Sequence, residues 1–172
     1  MFTRTTFTAA IFMALTSLAS AMEIKIGDLT IHDPTIRETA PGAKVAAGYI
    51  TITNNGDAIE RIIGGRAEFA GRVELHEMKM VDQVMKMSQL PGGVEIKPGE
   101  SVALKPGGNH IMFMQLDDAL KKDEMRQVML EFENAGKVTL DFHVKSIADT
   151  LKLKHGENKH GEHEDKEHKH NH

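Results

Sequence analysis

Histidine and methionine recur at alternate positions in three short segments. Residues 76–80 read His-Glu-Met-Lys-Met, residues 84–87 read Val-Met-Lys-Met, and residues 110–114 read His-Ile-Met-Phe-Met. Alternate residues share one face of a β-strand, so each segment would present its imidazole and thioether groups together. Thioether sulfur is a soft ligand and imidazole a borderline one, and this mixture favours Cu(I) over hard cations. The pattern therefore predicts a copper site.

The spacing of the three segments suits a mononuclear site built from neighbouring strands. Ten residues separate His76 from Met87, and twenty-two separate Met87 from His110. The longer spacer contains three Pro-Gly turn signals, which would return the chain towards the first two segments. Methionine is also an ordinary core residue, so we expect packing roles for Met125 and Met129. The same interpretation stays open for Met80, Met85 and Met114.

Composition excludes several other kinds of function. The chain has no cysteine, which rules out disulfides, thiolate metal sites and the blue-copper electron-transfer site. Its net charge is −4, and no basic face points to nucleic acid. No serine lies in a nucleophile-elbow sequence, and no glycine pair forms a phosphate loop. We therefore expect a binding protein and not an enzyme, with His32 and His143 in structural roles.

The first 21 residues have the features of a secretory signal peptide. Arg4 provides a weakly positive start, residues 9–18 are apolar, and residues 19–21 read Ala-Ser-Ala, a small-residue cleavage site. The apolar stretch is shorter than the roughly 20 residues that a membrane span needs. We predict a mature chain that begins at Met22 and lies in the periplasm, with no membrane span and no cysteine-linked lipid.

The C-terminal segment differs sharply in composition from the rest of the chain. Residues 155–172 contain five acids, three lysines, no apolar side chain and six histidines, which are His155, His160, His163, His168, His170 and His172. Such a segment cannot bury enough apolar surface to fold. We predict a disordered tail over residues 148–172. Its imidazole and carboxylate groups suit Cu(II), with Ni(II) and Zn(II) as competitors, although a solvated tail without specific metal binding stays an alternative.

The segment between signal and tail predicts an all-β domain over residues 22–147. Short alternating or β-branched segments occur at 24–31, 45–54, 58–63, 72–80, 83–89, 101–104, 110–116, 127–132 and 137–144, and turn residues separate many of them. Only residues 117–124 look like a helical turn. Many short strands in one domain favour an antiparallel β-sandwich or barrel.

Several blocks of this domain resemble the periplasmic PCu(A)C copper chaperones. The resemblance is carried by a His-x10-Met pattern followed, after a turn-rich spacer, by His-x-Met. It also includes residues 41–54, residues 73–78 and the Leu-Lys-Pro-Gly-Gly sequence at 104–108. The resemblance implies a cupredoxin-like fold that binds one Cu(I) through His76, Met87, His110 and Met112. Met78 stays open as an alternative or shuttling ligand.

The resemblance also implies a destination for the metal. PCu(A)C proteins deliver Cu(I) to the dinuclear copper centre of cytochrome c oxidase subunit II, directly or through a Sco-type thiol protein. A different binding function, a periplasmic copper scavenger or buffer, stays open, because the same ligands would also sequester copper. A redox enzyme acting on copper is disfavoured, because the domain offers neither cysteine nor a second clustered metal site.

Overall fold

The computed structural model describes residues 23–153, which form eleven β-strands and one short helix. The strands are β1 Glu23–Ile26, β2 Leu29–Arg37, β3 Val45–Asn54, β4 Glu60–Ala67, β5 Ala70–Val81, β6 Val84–Gln89, β7 Val94–Ile96, β8 Ser101–Leu104, β9 His110–Leu116, β10 Met125–Phe132 and β11 Gly136–Lys145; the helix is α1, Ile147–Lys152. No helix in this part of the chain is long and apolar enough to cross a bilayer.

Seven of the strands close into a barrel. Hydrogen bonding runs in the order β2-β11-β10-β4-β5-β9-β3, and β3 also pairs with β2, which joins the two ends of the sheet. The pair β11–β2 is parallel and the other pairs are antiparallel. The remaining strands, β1, β6, β7 and β8, extend the barrel at its rims. Closure leaves few free strand edges, and the predicted all-β sandwich or barrel is confirmed.

The barrel interior is filled by aliphatic residues around a group of phenylalanines. Phe113 lies at the centre, with ring centroids 5.2 Å from Phe69 and 6.3 Å from Phe142. A Cβ atom at Gly48 would come within 2.6 Å of the Phe113 ring, so the close approach of β3 to β9 requires glycine there. The fully buried residues include Ile31, Ile36, Ile52, Ile62, Ile96, Ile111, Val128, Leu130 and Val144.

Local differences from the sequence predictions have simple causes. The predicted strand 24–31 is two strands, because Gly27 adopts a positive φ of 55° and reverses the chain. Residues 117–124 form turns and not a helix. Strand β7 was not predicted, since three residues between two turns are too few to show alternation.

The ordered structure continues past the predicted start of the disordered tail at residue 148. Helix α1 begins after Ser146, whose hydroxyl accepts a hydrogen bond from the Asp149 amide as an N-cap. Thr150 is fully buried, and its hydroxyl accepts a hydrogen bond from Arg37 of β2. These contacts anchor the helix to the barrel, so residues 148–152 belong to the folded domain and the predicted boundary at 147 is too early.

Glu60 links β4 to the β10–β11 turn. Its carboxylate accepts hydrogen bonds from the backbone amides of Arg61, Asn134 and Ala135. Burial of the carboxyl group opposes ionisation, but these hydrogen bonds prevail and hold the pKa of Glu60 below its ordinary value.

We expect Glu60→Gln to reduce the free energy of unfolding by about 1–3 kcal/mol at neutral pH, because an amide cannot accept all three bonds. Since the folded-state pKa is depressed, the contribution of Glu60 is present above about pH 4.3 and is lost as the pH falls. Denaturant unfolding at pH 7 and pH 3 measures both effects. Glu23→Gln, at an exposed carboxylate on β1, is the control, and equal losses in the two variants would contradict the prediction.

Candidate metal centre

The predicted ligands lie on the outer face of the sheet formed by β6, β5 and β9. The pairing of β5 with β9 sets His76 directly opposite His110, and that of β5 with β6 sets Met78 opposite Met87. Met112 follows His110 by two residues and therefore shares its face. Ile111 and Phe113, which alternate with these residues, belong to the core, so His110 and Met112 point away from the barrel interior.

The path of the chain between Met87 and His110 explains why β5 and β9 are neighbours. After β6 the chain forms β7 against β4 and β8 against β3, and then turns back at residues 105–109. Strand β9 can then enter between β3 and β5. The return of the chain predicted from the Pro-Gly turns is therefore confirmed.

The hydrogen bonds of the two histidines leave one ring nitrogen of each available to a metal. His110 Nδ1 lies 2.9 Å from the Gly108 carbonyl oxygen, which can only accept, so Nδ1 carries the proton and Nε2 has the free lone pair. His76 Nε2 lies 2.9 Å from a Glu74 carboxylate oxygen, which assigns the proton to Nε2. Hydrogen bonds of this kind orient metal-binding histidines and fix their tautomers.

The Nδ1 atom of His76 is the clearest structural indication of a metal site. Within residues 23–153 it is the one buried side-chain nitrogen or oxygen atom without a hydrogen-bond partner. Leaving such an atom unpaired costs about 1–3 kcal/mol, which a bound metal ion would offset. The ring centroids of His76 and His110 are 6.0 Å apart. With metal–nitrogen bonds of about 2 Å, that separation accommodates one ion between the rings.

Three of the four predicted ligands have buried side chains, the inner groups, and the fourth has an exposed side chain, the outer group. His76, His110 and Met112 are 9%, 6% and 8% exposed, whereas Met87 is 52% exposed. Met87 is the cross-strand neighbour of Met78 and lies diagonally across from His76, which is within reach of a long side chain. The inner groups can hold an ion, and the outer thioether is accessible to an approaching protein.

Burial also affects the protonation of the site. It lowers the pKa of His110, an effect that the hydrogen bond to Gly108 opposes and the positive charge of Arg37 reinforces. Because a histidine must be neutral to bind metal, the lowered pKa keeps the His110 nitrogen available further into the acidic range.

Glu74 is a site residue that the sequence analysis missed. It lies opposite Met112 in the β5–β9 pairing, it accepts the hydrogen bond from His76, and it forms an ion pair with Arg72 at 3.1 Å. The four predicted ligands are neutral, so this carboxylate would provide negative charge next to a bound cation. Its position two residues before His76, on the same strand face, is the sequence signal that could have identified it.

Other candidate residues lie away from the two histidines. The Met114 sulfur lies 3.9 Å from an Arg72 guanidinium nitrogen. Met125 and Met129 are on β10, where Met129 pairs with Thr139 of β11. His143 lies 3.7 Å from Asp123. The tail histidines His155, His160, His163, His168, His170 and His172 fall outside the described residues.

Comparisons with known proteins identify the family to which the chain belongs. The family described as "Putative lipoprotein LpqE-like" matches residues 29–144, which is more than half of the chain. A relative described as "Putative lipoprotein Lxx21020", from Leifsonia xyli subsp. xyli, is 26% identical over 152 residues and covers 84% of this chain and 90% of its own length. The lipoprotein description of the family supports the prediction that the protein is exported.

Solved structures of PCuAC domains share the fold. The apo PCuAC domain from PmoF1 is 26% identical, with a TM-score of 0.62, and covers 73% of this chain and 99% of its own. The copper-bound PCuAC domain from PmoF2 is 24% identical, with a TM-score of 0.62, and covers 73% and 98%. Apo-DR1885 from Deinococcus radiodurans is 21% identical, with a TM-score of 0.55, and covers 84% and 97%. The chain therefore belongs to the LpqE-like family and has the PCuAC fold, as its sequence blocks predict.

Proposed function

We propose that this protein is a periplasmic copper chaperone that binds one Cu(I) through His76, Met87, His110 and Met112. The observation that carries the proposal is the buried, unpartnered Nδ1 of His76 across the sheet from His110. Met112, two residues after His110, and Met87, diagonally across from His76, supply the soft sulfur donors that Cu(I) prefers. A PCuAC domain of the same fold has been solved with copper bound, which supports copper as the metal.

The division into buried and exposed ligands suits a carrier. Two imidazoles and one thioether hold the ion in a largely water-free position, while Met87 is the ligand that an acceptor can displace. Acceptor thiolates carry a negative charge and bind Cu(I) strongly. Transfer would then proceed by exchange of Met87 for a thiolate or imidazole of the acceptor, with no change in the oxidation state of copper.

We propose the dinuclear copper centre of cytochrome c oxidase subunit II as the destination, reached directly or through a Sco-type thiol protein. A strain that lacks this protein should lose oxidase activity when copper is scarce. Normal oxidase activity at low copper, together with sensitivity at high copper, would instead identify a scavenger or buffer.

X-ray absorption of the Cu(I)-loaded full chain tests the ligand set. The proposal requires sulfur and nitrogen scatterers around one reduced copper ion. A spectrum with nitrogen and oxygen scatterers alone would overturn it, because no thioether would then be bound.

The tail is proposed as a separate Cu(II) site. We expect deletion of residues 155–172 to abolish Cu(II) binding and to leave Cu(I) affinity unchanged, because the four Cu(I) ligands all lie within the barrel and its hairpin. Calorimetric titration with each oxidation state measures this. Loss of both Cu(II) binding and Cu(I) binding would contradict the assignment of two sites.

A further inference from the structure

The end of the β5–β6 hairpin carries methionines that packing does not explain. In the hairpin of residues 77–88, Met78 pairs with Met87 and Met80 pairs with Met85. Met80 is 63% exposed and Met85 is 44% exposed. Neither residue belongs to the core cluster or packs against it, so their thioethers are presented to solvent.

The opposite face of the hairpin is different in character. Glu77 forms an ion pair with Lys79 and accepts a hydrogen bond from Ser88, and Lys86 pairs with Lys79 across the strands. Because side chains alternate between faces, the sequence separates thioethers from charged groups. The thioethers are on the face that also carries His76.

The turn of the hairpin fixes this arrangement. Asp82 and Gln83 both have positive φ, 52° and 64°, as in the two-residue type I′ turn whose twist matches that of paired strands. A two-residue turn sets the register of the hairpin. Met80 therefore stays opposite Met85, and Met78 stays opposite Met87.

These positions allow several sulfurs to bind one ion. Directly opposed residues have Cβ atoms about 4.5–5.5 Å apart, and long side chains also reach diagonal neighbours. Thioether groups select soft ions such as Cu(I). They carry no proton to lose, and without an imidazole or a negative charge they form a weaker site than the one between His76 and His110.

We propose that Met80, Met85 and Met78 form a second, weaker Cu(I) site. This second site loads the proposed site between His76 and His110, which we call the inner site. The proposal rests on the proposed function, because the inner site must itself bind Cu(I). Successive pairs along the hairpin are two residues, or about 6.8 Å, apart. An ion captured by Met80 and Met85 moves one such step to Met78 and Met87, and Met87 is already a ligand of the inner site.

The test is a titration of the full chain, labelled with [methyl-13C]methionine, using Ag(I) as a soft monovalent probe. Each methyl signal is assigned with single Met→Leu variants. We expect the Met112 and Met87 signals to shift with the first equivalent and the Met80 and Met85 signals to shift together with the second. Met129, which is half-buried on β10 opposite Thr139, provides the control signal and should stay unchanged. Tail histidines contribute no methionine signal.

Two variants separate this inference from the proposed function. In Met80→Leu/Met85→Leu, the Met112 shift should persist and the second step should disappear. If Met80 and Met85 do not shift in the wild type, or shift only as Met129 does, the second site is overturned. If Met112 does not shift in the wild type, or still shifts in His76→Gln/His110→Gln with the first equivalent, the inner site fails instead.

Discussion

Replacing His110 with glutamine should weaken Cu(I) binding by more than about 100-fold. Removing a residue that only hydrogen-bonds to a metal ligand already lowers metal affinity by roughly 10–100-fold. His110→Gln removes a ligand itself, so its effect should be larger. Glutamine is similar in size, but its amide oxygen is a hard donor that Cu(I) disfavours. Competition against a chromophoric Cu(I) chelator under reducing conditions measures the change.

The matched control for His110→Gln is His143→Gln. His143 is partly exposed on β11, with Asp123 at 3.7 Å, and β11 is not paired with the site strands β5, β6 and β9. It should retain wild-type affinity. Equal affinities for wild type and His110→Gln would contradict binding of Cu(I) by His110.

The site could be predicted from the sequence to the extent that it depends on strand periodicity. Alternation places His110 and Met112 on one face whichever fold surrounds them. The direct opposition of His76 and His110 is different, because it depends on the register between β5 and β9, which are separated by β6, β7 and β8. The Pro-Gly turns predicted that these segments approach one another and the family resemblance implied the four ligands, but neither predicted that His76 lies directly opposite His110.

The features that the sequence analysis missed depend on tertiary contacts. Helix α1 is six residues long, shorter than an isolated helix that is stable in water, and it is held by the buried Thr150 and its bond to Arg37. Closure of the barrel requires the parallel pair β11–β2, whose strands come from opposite ends of the domain. Neither contact leaves a local pattern in the sequence.

Glu74 is placed to act on a bound metal without being one of its ligands. Its carboxylate accepts a hydrogen bond from His76 Nε2, with the nitrogen and oxygen 2.9 Å apart, which leaves the lone pair of Nδ1 free for the site. The negative charge would also make the imidazole a better donor and compensate the charge of a bound cation. The Arg72 ion pair holds the other carboxylate oxygen, so the carboxylate is fixed in orientation.

We expect Glu74→Ala to lower Cu(I) affinity by roughly 10–100-fold, the range for loss of an outer-shell partner. Glu74→Gln should have a smaller effect, because its amide oxygen still accepts the bond from His76 and only the charge is lost. The chelator competition used for His110→Gln measures both variants. Glu77→Gln is the control, because Glu77 lies on the same strand but on the opposite face, where it pairs with Lys79. If Glu74→Ala and Glu77→Gln bind Cu(I) equally well, orientation of His76 by Glu74 does not contribute to binding.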